Sequence, residues 1–211
     1  MSTETNTERG IVFRSTGSWY DVQDSSGENI RCRIKGKMRL KGLRSTNPIA
    51  VGDAVQFIKS KDGTGSIDSI EERRNYIVRK SVNLSKETHI VASNLDRAYL
   101  IVTIAKPRTS SGFIDRFLVT AEAYGIPTTI VFNKFDLLSS DKEAMLRQEE
   151  LEGIYTRAGY ETMRVSAESG LGIKEFREEL NSGINLLSGH SGVGKSTIIN
   201  MLIPGLDLKT A

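Results

Sequence analysis

The amino-acid sequence predicts an N-terminal all-β barrel of the OB-fold type followed by an α/β domain, and three observations carry that reading. Between residues 10 and 70, short stretches of alternating apolar and polar residues are separated by turn residues at close intervals. From residue 95 onward, apolar runs of strand length alternate with amphipathic helical patterns. The charge divides near the same place: the first 80 residues carry 15 Lys and Arg against 10 Asp and Glu, and the rest carry 14 against 16.

In chain order, GIVFRS, SWYDVQ, NIRCRI, DAVQFIKS and SIDSI read as the barrel strands, with SSGE and KDGTG as hairpin turns. Five short strands in about sixty residues suit a closed barrel; the OB-fold fits, and SH3-like barrels share these statistics. Residues 74–94 show no clean period and are expected to connect a barrel domain at 1–73 to a second domain at 95–211. In that domain RAYLIVTIA reads as a buried parallel strand and SGFIDRFLVTAEAYG as a helix ended by Gly125. PTTIVFNK is a second strand, and DKEAMLRQEELEGIYTRAGY a second helix. ETMRVSA, GIKEFREELN and INLLSG complete a doubly wound strand–helix–strand order.

Composition excludes several classes. An apolar content of 38% is enough for ordinary cores. No run approaches eighteen apolar residues, and the polar opening MSTETNTERG lacks the apolar segment of a secretory signal, so a cytoplasmic protein with no membrane contact is expected. Cys32 stands alone, which rules out an internal disulfide and a Cys-based zinc site within these residues.

Residues 189–197, GHSGVGKST, satisfy G-x-x-x-x-G-K-S/T between an expected strand and an expected helix, the context this phosphate-binding loop requires. Gly189, Gly192 and Gly194 let the backbone wrap a phosphate chain, with N–H groups of Ser191, Gly192, Val193, Gly194 and the residues up to Thr197 turned inward at the positive end of the helix. Lys195 is expected to reach the β- and γ-phosphates and stabilise their charge in catalysis, and Ser196 to place its hydroxyl on Mg²⁺. His190 occupies a position where only the backbone is needed, so it is read as neutral.

The base is chosen by NKFD, residues 133–136, at the carboxyl end of a strand. The Asp136 carboxylate can accept from N1–H and the exocyclic amine of guanine, donors that adenine does not offer in that geometry. Asn133 is expected to tie this loop to the phosphate loop, and the Lys134 stem to lie across the base. Ser166 and Ala167, in SAESG at the end of the next strand, stand where a backbone N–H contacts guanine O6.

Ordinary GTPases run phosphate loop first and N-K-x-D and S-A later; here the order is reversed, which is a circular permutation. Active sites are assembled in space, so moving the termini leaves the constellation intact. With a basic barrel in front, the chain resembles the RsgA/YjeQ family of circularly permuted GTPases. The resemblance runs from about residue 10 to the end, over RCRIKGKMRLKG, VGDAV, ERRNYIVRK, NKFD, SAESG and GHSGVGKST. It implies GTP hydrolysis in late maturation of the small ribosomal subunit, stimulated by that subunit. It also implies GTP, GDP and Mg²⁺ as ligands, 16S rRNA as a partner, and a monomeric state. Family members continue into a switch I Thr, a D-x-x-G element and a C-terminal zinc domain. None lies after Lys195 here, so the chain reads as a truncated form that holds no Zn²⁺ ligands, binds nucleotide and hydrolyses it poorly.

The run RCRIKGKMRLKGLR places Arg31, Arg33, Lys35, Lys37, Arg39, Lys41 and Arg44 together without an acid, the best local candidate for RNA phosphate contact. Trp19 and Tyr20 are adjacent on one strand, so at most one can face a ligand, and core packing is favoured for them. Asp96 reads as a cap or surface acid, and His89 carries no assigned role. Two other readings stay open: an ATP-using P-loop enzyme with an OB appendage, which a GTP-versus-ATP titration decides, and an RNA-binding module with a vestigial nucleotide site, which tight GDP binding excludes.

Overall fold

The structure, a computed structural model, describes residues 7–34, 48–80 and 88–210. The chain divides into two compact units, Met1–Leu95 and Asp96–Ala211.

In the first unit β1 (Thr7–Thr16), β2 (Trp19–Asp24), β3 (Asn29–Ile34), β4 (Ala54–Lys59) and β5 (Thr64–Ile70) close into a barrel in the order β1-β2-β3-β5-β4. Strands β3 and β5 pair in parallel and the other neighbours antiparallel, a five-stranded Greek-key closure that leaves no open edge. Alternation sends Val12, Tyr20, Val22, Ile30, Cys32, Val55, Phe57 and Ile67 inward to one core. Burying each of the larger side chains contributes about 1.5–3 kcal/mol. The β2–β3 turn is held by Asp24, whose carboxylate accepts from the backbone N–H of Ser26 at 2.8 Å and of Glu28 at 2.9 Å.

The segment expected as a connector contains two paired antiparallel strands, β6 (Tyr76–Lys80) and β7 (Thr88–Ser93). A register shift between Ile77 and Val78 interrupts the period-two pattern that would have revealed them. The hairpin is fastened to the barrel by Asp53, which is fully buried. Its carboxylate accepts from Arg73 Nε and Arg73 Nη2 at 2.6 Å each, from Ser93 Oγ at 2.5 Å and from the Ala50 N–H at 2.8 Å. Gly52, at φ +92°, lies against the Ser93 carbonyl where any side chain would collide.

In the second unit β8 (Arg97–Val102), β9 (Thr128–Phe132), β10 (Glu161–Arg164) and β11 (Asn185–Ser188) form a parallel sheet in the order β10-β9-β8-β11. Leu100, Val102, Ile130 and Phe132 pack on one face with residues of α1 (Ser111–Ala123) and α2 (Lys142–Arg157). Tyr99, Ile101 and Val131 pack on the other with α3 (Ile173–Glu179) and α4 (Lys195–Leu202). Burial on both faces explains why β8 and β9 read as continuous apolar runs. Asp141 caps α2 by accepting from the Ala144 N–H at 3.0 Å. Asp96 is likewise structural: its carboxylate accepts from the Ile184 N–H at 2.7 Å, where the chain enters β11.

The chain moves from β8 to β9 and β10 on one side and returns to β11 on the other. That reversal makes a crevice at the carboxyl ends of β8 and β11.

Candidate nucleotide-binding site

Because the four strands are parallel, their carboxyl ends share one edge, and three loops meet there: 133–138, 165–172 and 189–194. Asn133 joins them. It is 3% exposed, its Nδ2 donates to the Val193 carbonyl at 2.8 Å, and its Oδ1 accepts from the Ala167 N–H at 3.4 Å. Gly194 makes this possible, since it adopts φ +96° and a side chain there would run into Asn133 Nδ2.

Lys134 adopts the left-handed conformation, φ 64°, and its ammonium donates to the carbonyls of Gly192 at 2.8 Å and Lys106 at 2.6 Å. Asp136 stands in a 3₁₀ turn (Phe135–Leu138) and accepts from Ser166 Oγ at 2.5 Å, while Ser166 Oγ accepts from the Ser169 N–H at 3.0 Å. The Asp136 carboxylate is thereby held to the loop that carries Ala167.

These residues surround a cavity of about 440 Å³, lined by Asn133, Lys134, Asp136, Leu137, Ala167, Glu168, Gly194 and Thr197. The volume falls within the range of small-molecule sites. Leu137 and Glu168 were not singled out from the sequence; each directly follows a motif residue, and that adjacency was the available signal.

The phosphate loop runs from β11 into α4, whose first residue is Lys195 and whose N-cap is Gly194. Gly189 approaches the Ile101 carbonyl closely enough to exclude a side chain. Val193 is fully buried in the α3/α4 core, so only its backbone is available to a ligand. Ser191 and Gly192 are exposed, and Ser196 and Thr197 lie partly buried in the first turn of α4. The Lys195 ammonium folds back on its own loop, donating to the carbonyls of Gly189 at 2.8 Å and His190 at 2.6 Å, and burial holds it below the usual lysine range. Ligand phosphate oxygens would replace carbonyl partners it already has.

Sequence reading also missed residues 103–113. The Thr103 hydroxyl donates to the Pro107 carbonyl, the Thr109 N–H donates to the Thr103 carbonyl at 2.8 Å, and the loop so closed lies beside Gly192. In α1, the Phe113 ring stacks on His190, centroids 3.6 Å apart.

On the barrel, Tyr20 is buried, 2% exposed, whereas Trp19 faces outward. Core packing thus holds for Tyr20 and not for Trp19, whose ring carries the guanidinium groups of Arg31 at 4.6 Å and Arg33 at 3.8 Å. Lys35, Lys37, Arg39, Lys41 and Arg44 lie outside the described residues. Among the described residues no three His, Cys, Asp or Glu side chains form a metal-binding group, and no helix is long and apolar enough to cross a membrane.

Two family descriptions match the chain: the RsgA N-terminal domain over residues 9–67 and the RsgA GTPase over residues 70–211. The small ribosomal subunit biogenesis GTPase RsgA of Bacteroides fragilis is 53% identical over 203 residues, covering 96% of this chain and 65% of the relative. The protein of the same description from Flavobacterium johnsoniae is 51% identical over 205 residues, covering 96% of this chain and 62% of the relative. This chain therefore spans somewhat under two thirds of the length of these curated relatives. Among solved structures, YjeQ from Thermotoga maritima superposes with a TM-score of 0.78 at 37% identity, covering 98% of this chain and 68% of that one. YloQ, a circularly permuted GTPase, superposes with a TM-score of 0.70 at 25% identity, covering 95% of this chain and 66% of that one.

Proposed function

The chain belongs to the RsgA GTPase family, and from that premise we propose that it binds GTP and GDP with Mg²⁺ and acts in maturation of the small ribosomal subunit. The observation that carries the nucleotide assignment is the convergence of three loops on one cavity through the buried amide of Asn133.

In this reading guanine enters the cavity with N1–H and its exocyclic amine donating to Asp136, which Ser166 Oγ orients. The Ala167 N–H makes a long bond of 3.4 Å to Asn133 and is free to turn to guanine O6. The Lys134 stem, stretched from its left-handed backbone to the Gly192 carbonyl, covers one face of the base. The phosphates lie over the loop N–H groups at the start of α4, where the helix dipole favours negative charge. There Lys195 exchanges its carbonyl partners for phosphate oxygens. The hydroxyl of Ser196 in the first turn of α4 fits Mg²⁺, which would neutralise phosphate charge.

The reaction is GTP and water to GDP and phosphate, stimulated by the subunit. The barrel contacts 16S rRNA, with Arg31, Arg33 and the cations of residues 35–41 on phosphates. The protein works as a monomer in the cytoplasm.

The test is a titration of the purified chain with GDP and ADP, followed by GTP turnover with and without small ribosomal subunits. A preference for GDP is expected, with GTP turnover raised by the subunits. Equal affinity for GDP and ADP would overturn the assignment of the base.

A further inference from the structure

The phosphate loop is held from outside by a segment to which no motif assigns a role. Three contacts reach it from residues 103–113. Lys134 Nζ donates to the carbonyls of Lys106 and Gly192 together, which fastens the two loops to one ammonium. The Pro107 ring lies so near Gly192 that a side chain there would meet it at 3.3 Å. The Phe113 ring stacks on His190 with centroids 3.6 Å apart and planes inclined by 33°.

The third contact differs from the others. His190 is exposed and adjoins Ser191, while Phe113 is partly buried and packs on the α1/α2 core. The ring therefore ties a solvent-facing position of the phosphate loop to the packed interior. An aromatic stack of this kind is worth about two- to tenfold in an equilibrium constant beyond the area it buries.

A glycine-rich loop without such anchors loses conformational entropy when it closes on a phosphate chain. Anchoring it beforehand removes part of that loss, and the gain appears only for ligands that carry the phosphates the loop encloses. We infer that Phe113 is a positioning residue for the nucleotide phosphates, pre-setting the loop through its stack on His190. This rests on the proposed nucleotide reading of residues 189–197.

The experiment compares GDP with GMP, which share the base but differ in the β-phosphate, on the full chain. Phe113→Leu should weaken GDP binding about two- to tenfold while leaving GMP binding nearly unchanged, so that the GDP-to-GMP affinity ratio falls. Phe113→Tyr should restore the ratio, and the preference for GDP over ADP should not move. His190→Ala removes the other ring at an exposed position and keeps the test open should Phe113→Leu not fold; it should lower the same ratio. The two changes combined should lower it no further than either alone. A parallel loss of GDP and GMP affinity, or an unchanged ratio in both variants, would overturn the positioning role. Failure of the parent chain to bind GDP would overturn the nucleotide reading itself, and this inference with it.

Discussion

The guanidinium of Arg33 lies 3.8 Å from the centre of the Trp19 ring, on the outer surface of strands β2 and β3. Arg31 approaches the same ring at 4.6 Å. Stacking covers a guanidinium face and leaves its N–H groups in the plane free for phosphate oxygens. Trp19 is the only tryptophan of the chain, so its emission reports on this surface alone. RNA should change Trp19 fluorescence in titrations of the chain with a single-stranded oligoribonucleotide. Arg31→Gln with Arg33→Gln should flatten log affinity against log salt by about 0.7 for each phosphate these side chains neutralise. An unchanged slope, with unchanged emission in the parent, would remove this surface from the RNA interface.

Asp136→Ala should abolish most of the preference for guanine over adenine nucleotides. Removing each charge-assisted hydrogen bond costs about 1.5–3 kcal/mol, roughly ten- to a hundredfold in affinity. Ser166→Ala should give a smaller loss in the same direction, because the Ser166 hydroxyl fixes Asp136 at 2.5 Å without touching the base in the proposed pose. Competition of GDP and ADP against a fluorescent guanine nucleotide measures both.

Asn133→Ala should weaken GDP and GMP binding alike. Its amide holds Val193 and Ala167 in different loops, so its removal loosens the whole mouth of the cavity. A loss confined to GDP would show that Asn133 acts on the phosphate loop only.

Asp53→Ala should destabilise the first unit by about 3–5 kcal/mol, since it leaves the Arg73 guanidinium, 9% exposed, without its carboxylate. Urea unfolding of the chain followed by Trp19 emission measures this. A change within the error of the midpoint would show that water replaces the carboxylate.

Cys32 should resist maleimide in the folded chain and react as the barrel opens. It is fully buried, and burial pushes its thiol up to about 11, which keeps it protonated at neutral pH. Rapid labelling under native conditions would contradict the closed barrel.

What the sequence revealed follows from what each signal depends on. Strands β3 and β9 were readable because burial on one face or on both leaves a pattern in the residues themselves. The loops 133–138 and 189–194 stood out because close backbone approach demands glycine at Gly189 and Gly194 and because NKFD ends an apolar strand. The β6–β7 hairpin was not, because its bulge at Ile77 and Val78 breaks the alternation. Trp19 and Tyr20 sit side by side, and only the barrel's closure decides which of them turns inward. The stack of Phe113 on His190 joins residues on α1 and on the loop after β11, a proximity that no local pattern encodes.

The Asn133 amide donates to a carbonyl sixty positions further along the chain, and β11 pairs with β8 only after every intervening element has been made. During translation, at about 5–20 residues per second, the barrel can close while the segment beginning at β11 is still unmade or inside the ribosome exit tunnel. Of the residues that line the cavity, Gly194 and Thr197 are then the last to be made. In the proposed reading, full affinity for guanine nucleotide is therefore expected only once synthesis has passed Thr197.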